Sequence, residues 1–366
     1  MNVTIRCSKL ERYMHCAGYL HLDVEEPEAG QPAKEGTAFG EVLEYKLTDR
    51  PAPTVASNGI YIDNDMHFYS DALAEDVKSR AASKILCETR IDWQTRSGIW
   101  VRGQYDASYV DKKGRLCIDD AKYGWGIVEV KENWQLLGYA IGEVIRLGQG
   151  FHEIVLRIMQ PRPHHEDGDM REWVLTYSQL LEYKEKIEQR MQELANGRKD
   201  FQTGSHCKYC KGAAEACTAF SRLFYRSIEV STDFYQDSLN EAEIARQLDQ
   251  IKRAAEVIKI KEDSLVELGI SRIKSGKLIP GYVQVEKYGH RNWKNGVSPE
   301  ALAMMTGHDV IEKSIMSPAK AEKLGVSKEL VKSLSESRMT GVKLEKKNGT
   351  DVGNKIFGTT NPLGGN

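Results

Sequence analysis

Residues 100–122 read W-V-R-G-Q-Y-D-A-S-Y-V-D-K-K-G-R-L-C-I-D-D-A-K. Trp100–Val110 carries the aromatic and β-branched residues of a strand, Asp111-Lys112-Lys113-Gly114 is a turn, and Arg115–Ala121 is the returning arm. Such a hairpin sets Asp106 and Asp120 nearly opposite each other. Asp120 and Lys122 are two apart on a strand, so their side chains leave the same face. Two carboxylates with an ammonium beside them outline a hydrolytic metal site. Mg²⁺ takes hard oxygen ligands and keeps several waters, and a bound divalent ion acidifies water and offsets charge on phosphoryl oxygens. The backbone carbonyl of Ala121 is a further candidate ligand. A general-base role for Lys122 would need a lowered pKa, whereas neighbouring carboxylates raise it. Positioning and electrostatics are therefore the expected role, with base as the alternative. Taken alone, D-x-K beside a turn is more often a solvated surface, and its weight comes from what flanks it.

Upstream, Leu10, Tyr13, Met14 and Ala17 recur at helical spacing and predict a helix over 4–22 with Ser8 as its N-cap. A loop at 26–35 leads to a helix from Gly36 to Leu47, a Pro-rich loop at 49–60 and a helix over 65–86. Cys87–Ile91 reads as a strand. Downstream, Glu132–Leu147 is helical and ends at Gly148-Gln149-Gly150. His152–Gln160 reads as a buried strand of a mixed sheet, 161–170 as a polar loop, and Thr176 with Gln179 as a capping box for a helix through Leu194, closed by Gly197. The expected fold class is α/β, a central mixed β-sheet flanked by helices over 1–222, followed by a mainly helical C-terminal region over 223–366. In that region Asn240 with Glu243 caps a long helix reaching about Leu268. Its Ile244, Leu248, Ile251, Ala255 and Ile258 have the spacing of a coiled-coil seam. The plainer expectation is a long helix packed on its own domain.

The chain has 366 residues, 40% of them hydrophobic, and a formal net charge of -2, so no global field draws it to a polyanion. A nucleic-acid partner would need a local basic surface. No secretory signal and no apolar run long enough for a membrane span is expected, and seven cysteines in a chain of this size fit a reducing, cytoplasmic setting better than a disulfide framework. Cys207-Lys208-Tyr209-Cys210 followed by Cys217 gives C-x2-C-x6-C. Soft thiolates at that spacing read as zinc or iron–sulfur ligands. Three cysteines need a fourth ligand, which for zinc His206 could supply.

With the helix that carries Gln135 and Tyr139, one turn apart on one face, the block resembles the RecB/Cas4-like branch of the PD-(D/E)XK nuclease superfamily, in particular a phage and prophage group within it. The resemblance covers roughly residues 5–222. It implies a restriction-endonuclease-like core, Asp106 and Asp120 as ligands of Mg²⁺ or Mn²⁺, Lys122 as the catalytic lysine, and Gln135 and Tyr139 as the Q-x-x-x-Y helix motif beside the site. It also implies a [4Fe-4S] cluster held by Cys16, Cys207, Cys210 and Cys217, with Zn²⁺ as the alternative. The branch carries G-x-x-x-H on an early helix. Here Gly36-Thr37-Ala38-Phe39 is followed by Gly40 where the histidine would stand, and Glu41 or Glu44 is the expected substitute.

The function this implies is a metal-dependent DNA exonuclease acting in phage or prophage recombination or DNA processing. Its implied partners are DNA with single-stranded segments or ends, and a recombination or single-strand annealing protein. The segment K-Y-G-H-R-N-W-K, with Tyr288, His290, Arg291, Trp293 and Lys294, mixes rings and cations as single-stranded DNA binding would need. The alternatives are RNA as substrate, a catalytically inactive DNA-binding protein on a nuclease scaffold, and a structural protein that oligomerises through residues 240–268.

Overall fold

The structure is a computed structural model. It describes residues 3–24, 30–163, 165–232, 240–288, 292–293, 297–308, 311–312, 314–315, 318–323, 325–336 and 339–346. The chain divides into two compact units, Met1–Glu267 and Leu268–Asn366.

The first unit is built on a mixed six-stranded sheet of β1 (Thr4–Arg6), β2 (Leu86–Gln94), β3 (Trp100–Val110), β4 (Leu116–Ala121), β5 (Glu153–Met159) and β6 (Met170–Thr176). β1 runs parallel to β3 and β4 parallel to β5, while the remaining pairs are antiparallel. One edge of β3 has two tenants. β1 takes Trp100–Arg102, β4 takes Ala107–Val110, and residues 103–106 lie in the gap between them.

Helices cover both faces. On one, α1 (Leu10–His15), α4 (Trp134–Leu147) and α5 (Tyr177–Ala195) bury Leu10, Leu136, Ile141, Leu180 and Met191 against Val101, Tyr105, Ile118 and Leu156. On the other, α2 (Gln31–Leu47) and α3 (Asn64–Arg80) bury Phe39, Val42, Leu73 and Val77 against Ala107, Tyr109, Cys117 and Val155. β-strand side chains alternate between faces, yet Tyr105 and Ala107 belong to opposite cores. The alternation therefore breaks at Asp106. Opposite this point on β2, Glu88 has φ +45°, a left-handed conformation rare outside glycine and a common mark of functional sites. The helix ends follow local chemistry: Asn133 accepts from the amides of Gln135 and Leu136 to start α4, Gly148 ends it at φ +65°, and Thr176 and Gln179 form the expected capping box.

Three expectations are corrected or sharpened. Residues 4–22 are not one helix: they form β1, a 3-10 turn at Cys7–Lys9, α1 and a second 3-10 turn at Ala17–His21, and Ser8 caps nothing. Partnering by β3 satisfies the backbone of Thr4–Arg6, so the apolar spacing does not extend a helix upstream. Residues 170–176 form a strand, where the expected polar loop ends at 170 and no element was expected over 171–175; its buried Arg171 and exposed Val174 hide the usual apolar-in, polar-out alternation. The long helix does pack on its own domain, as the plainer expectation had it, but through residues other than the 244/248/251/258 stripe. α6 (Thr218–Thr232) precedes the 34-residue helix α7 (Glu241–Lys274). α7 buries Ala254 and Ile260 and leaves Ile244, Leu248, Ile251 and Ile258 between 37% and 51% exposed.

In the second unit, Tyr282–Tyr288 pairs antiparallel with Met339–Lys346, and short helices at Pro299–Thr306, Pro318–Lys323 and Lys328–Leu334 surround Leu302, Ala321, Val326 and Val331. Of the aromatic–basic segment, Tyr288 and Trp293 fall in strands, while His290, Arg291 and Lys294 lie outside the described residues. Among the described residues no helix is long and apolar enough to cross a membrane.

Candidate active site and cysteine cavity

The β3–β4 register pairs Ala107 with Asp119. One step further, Asp106 and Asp120 stand opposite each other where β4 ends. The Ala121 N–H donates to Asp106 Oδ2. Thus Ala121 contributes its amide here. Lys122 lies with its ammonium 2.6 Å from Asp120 Oδ2. α4 approaches from one layer: Gln135 Nε2 donates to Asp120 Oδ1 at 3.1 Å and to the Tyr139 hydroxyl at 2.7 Å, while Gln135 Oε1 accepts from Lys122 Nζ at 3.3 Å. Tyr139 is tightly set. A Cβ on Gly103 would meet its ring at 2.4 Å, so only glycine fits in the β3 gap beneath it. The structure thus links Asp120, Lys122, Gln135 and Tyr139 through their side chains and sets Asp106 beside them, held by the Ala121 amide.

From the other layer α2 presents Gly40. A Cβ there would lie 3.6 Å from Glu88 Oε1 and 3.8 Å from Asp106 Oδ1. The space left by the missing histidine therefore adjoins a carboxylate from β2. Glu41 is directed elsewhere, accepting from the Ser57 amide at 2.8 Å, and Glu44 is paired with Arg50 at 2.6 Å. Neither joins the group directly, although the charge of Glu44 reaches Glu88. Glu88 escaped the sequence reading because its motif-poor strand, L-C-E-T-R, offers no spacing signal. Continuing the β2–β3 pairing from Ile91–Gly103 would have brought it to Asp106.

Electrostatics follow from this crowding. Burial, then the charges of Asp120 and Glu88, hold the Asp106 carboxyl well above the usual range, against the Ala121 amide and Lys122. Burial also raises Glu88, against the Gln104 side-chain amide that donates to it. Burial disfavours the Lys122 ammonium, but Asp120 and Asp106 outweigh it and its pKa stands above the ordinary lysine value. Lys122 is thus a cation built to hold its proton. Three carboxylates against one ammonium leave an excess of negative charge that a hard divalent cation would neutralise. Among the described residues, no three His, Cys, Asp or Glu side chains are already arranged to hold a metal ion.

Cys16, Cys207, Cys210 and Cys217 line one apolar cavity with Tyr19, Leu22, Phe201 and Phe220. His206 borders it too, its Nε2 2.9 Å from the Gln202 carbonyl. α7 closes this region with Ile260, and Lys261 donates to the carbonyls of Ala213 and Ala214. The open volume is about 10 Å³. Four soft donors fit a thiophilic metal centre in kind. Cys7, Cys87 and Cys117 lie elsewhere, and burial raises all three thiols.

Fold and site together define an α/β protein whose central mixed sheet, flanked by helices, carries a carboxylate–lysine group at the end of one strand. The chain belongs to the family described as "Protein of unknown function (DUF2800)", whose model matches residues 4–341. No curated protein matches the sequence. Among solved structures, "Crystal structure of SSO0001" is similar at 12% identity with a TM-score of 0.31, over 60% of this chain and 87% of that one.

Proposed function

We propose that this protein is a metal-dependent phosphodiester hydrolase of the PD-(D/E)XK kind. The more specific reading is a RecB/Cas4-like DNA exonuclease serving phage or prophage recombination or DNA processing. The observation that carries the proposal is the network joining Asp120, Lys122, Gln135 and Tyr139, with Asp106 held beside it by the Ala121 amide. Asp106 and Asp120, with Glu88 in the role expected of Glu41 or Glu44, would hold Mg²⁺ or Mn²⁺. When bound, the ion supplies an acidified water and charge neutralisation at the phosphoryl group. Lys122 keeps its proton and stabilises developing negative charge. Gln135 fixes Asp120 and Lys122 relative to each other, and Tyr139 anchors Gln135 against β3. The four cysteines would hold a [4Fe-4S] cluster, or Zn²⁺, that ties the 3-10 turn after α1 to the end of the core.

Incubating purified protein with linear and circular DNA and Mg²⁺ or Mn²⁺ tests the proposal. Cleavage by wild type, lost in Lys122→Ala, is expected. Metal-loaded wild type no more active than Lys122→Ala, yet still binding DNA, would instead establish the inactive DNA-binding alternative.

A second reading is favoured by the exposed stripe on α7. Ile244, Leu248, Ile251 and Ile258 present an apolar face at heptad spacing, as an oligomerising helix would. Light scattering across a concentration series tests it: a constant monomer mass would dismiss this reading.

A further inference from the structure

Three residues beyond Lys122, Trp125 is 70% exposed, and Ile127 is 51% exposed beside it. This exposure belongs to a held loop. Buried Gln160 donates to the carbonyls of Gly124 and Gly126 at 2.9 and 2.8 Å and accepts from the Val128 amide at 3.1 Å. Both neighbours of Trp125 are glycines, so no adjacent side chain covers the indole. Tyr209, from the cysteine loop, is 67% exposed, and its hydroxyl lies 4.0 Å from where a Gly126 Cβ would stand. Cations sit among the rings: Arg162 lies 3.5 Å from the Tyr123 ring centre and 5.6 Å from that of Trp125, and Lys208 lies 5.4 Å from that of Tyr209.

We infer that Trp125 and Tyr209 form a stacking platform for a single strand of nucleic acid leading into the carboxylate–lysine site. This deepens the proposed function and rests on it. Bases present flat apolar faces with phosphates alongside, which suits separated rings interleaved with cations. A protein partner would favour a continuous aliphatic surface, and here glycines separate the rings. Trp125 shapes the substrate preference toward unpaired ends, because a base paired and stacked within a duplex cannot offer its face to the indole.

The test uses the full-length protein in a Lys122→Ala background, without divalent metal, and fluorescence anisotropy with a labelled oligo-dT strand and a blunt duplex. Trp125→Ala is expected to weaken oligo-dT binding roughly tenfold or more, Trp125→Phe to retain most of it, and duplex binding to change less. Unchanged oligo-dT affinity in Trp125→Ala overturns the platform, as does an effect of Trp125→Ala confined to self-association in light scattering. Metal-dependent cleavage with Lys122 restored is read separately. Cleavage without Trp125-dependent binding sinks the platform alone, and Trp125-dependent binding without cleavage sinks the nuclease reading alone.

Discussion

Gly40 on α2 and Glu88 on β2 adjoin one small space, with the Gly40 Cβ position 3.6 Å from Glu88 Oε1. A methyl group at that distance makes ordinary contact, whereas an imidazole must displace the carboxylate. Gly40 also lies inside a helix, where glycine costs about 0.5–1 kcal/mol relative to alanine. Gly40→Ala is therefore expected to stabilise the protein by about that amount in a denaturant melt, and Gly40→His to destabilise it. A melt in which both variants lose stability equally would show that the space beside Glu88 is too tight for any side chain.

Asp106 is held above the usual carboxylate range by burial and by Asp120 and Glu88. Neutralising it relieves that crowding in the metal-free protein. Asp106→Asn should melt higher than wild type in a chelator, show a smaller thermal shift on adding Mn²⁺, and lose cleavage. A lower melting point in the chelator would mean that the Ala121 hydrogen bond outweighs the repulsion.

The hairpin turn depends on Asp111, which accepts from the amides of Lys113 and Arg115 at 2.9 Å each and from Arg115 Nε at 2.8 Å. Burial works to raise its pKa, and these donors outweigh it, so the pKa lies below the usual aspartate value. A depressed carboxylate stabilises the fold above its unfolded pKa of about 3.9, and that contribution is lost as pH falls through the folded value. Asp111→Ala should cost about 1–3 kcal/mol at neutral pH. The melting-temperature gap to wild type should close in acid.

Arg157 and Asp119 form a fully buried pair at 2.9 Å, with the Tyr109 hydroxyl accepting from Arg157 at 2.7 Å. Burial pushes Asp119 up to about 6 even beside the guanidinium. Arg157→Met alone strands a buried carboxylate and should cost about 3–5 kcal/mol. Adding Asp119→Asn should recover a large part of that loss in a double-mutant cycle, and additive losses would refute the pairing argument.

Cys16→Ala or Cys217→Ala should lower the iron or zinc content of the purified protein and its melting point together. Cys7→Ala, at a buried thiol packed against Gly103 and Gly138, should leave metal content unchanged.

The sequence disclosed the hairpin because its signal is local: a polar turn between two runs of strand-forming residues, with Asp106, Asp120 and Lys122 at fixed offsets. The bounds of β3 matched the expectation at Trp100 and Val110. Glu88, the break in alternation at Asp106 and the Gln160-held loop under Trp125 depend on contacts between distant elements, which spacing along the chain does not encode. β1 was missed for the same reason, since its partner lies on β3. The α7 stripe shows the converse: heptad spacing was visible, but which face of the helix meets the domain was not.

β1 also bears on the order of assembly during synthesis. Thr4–Arg6 leaves the ribosome well before Trp100–Arg102, the segment it pairs with, and Cys16 precedes Cys207, Cys210 and Cys217 by most of the domain. β1 therefore waits unpaired until β3 has been made, and Cys16 meets the other three cysteines only after most of the unit has been translated. The cysteine cavity, which needs residues from early and late in the unit, is thus among the last places where the fold can close.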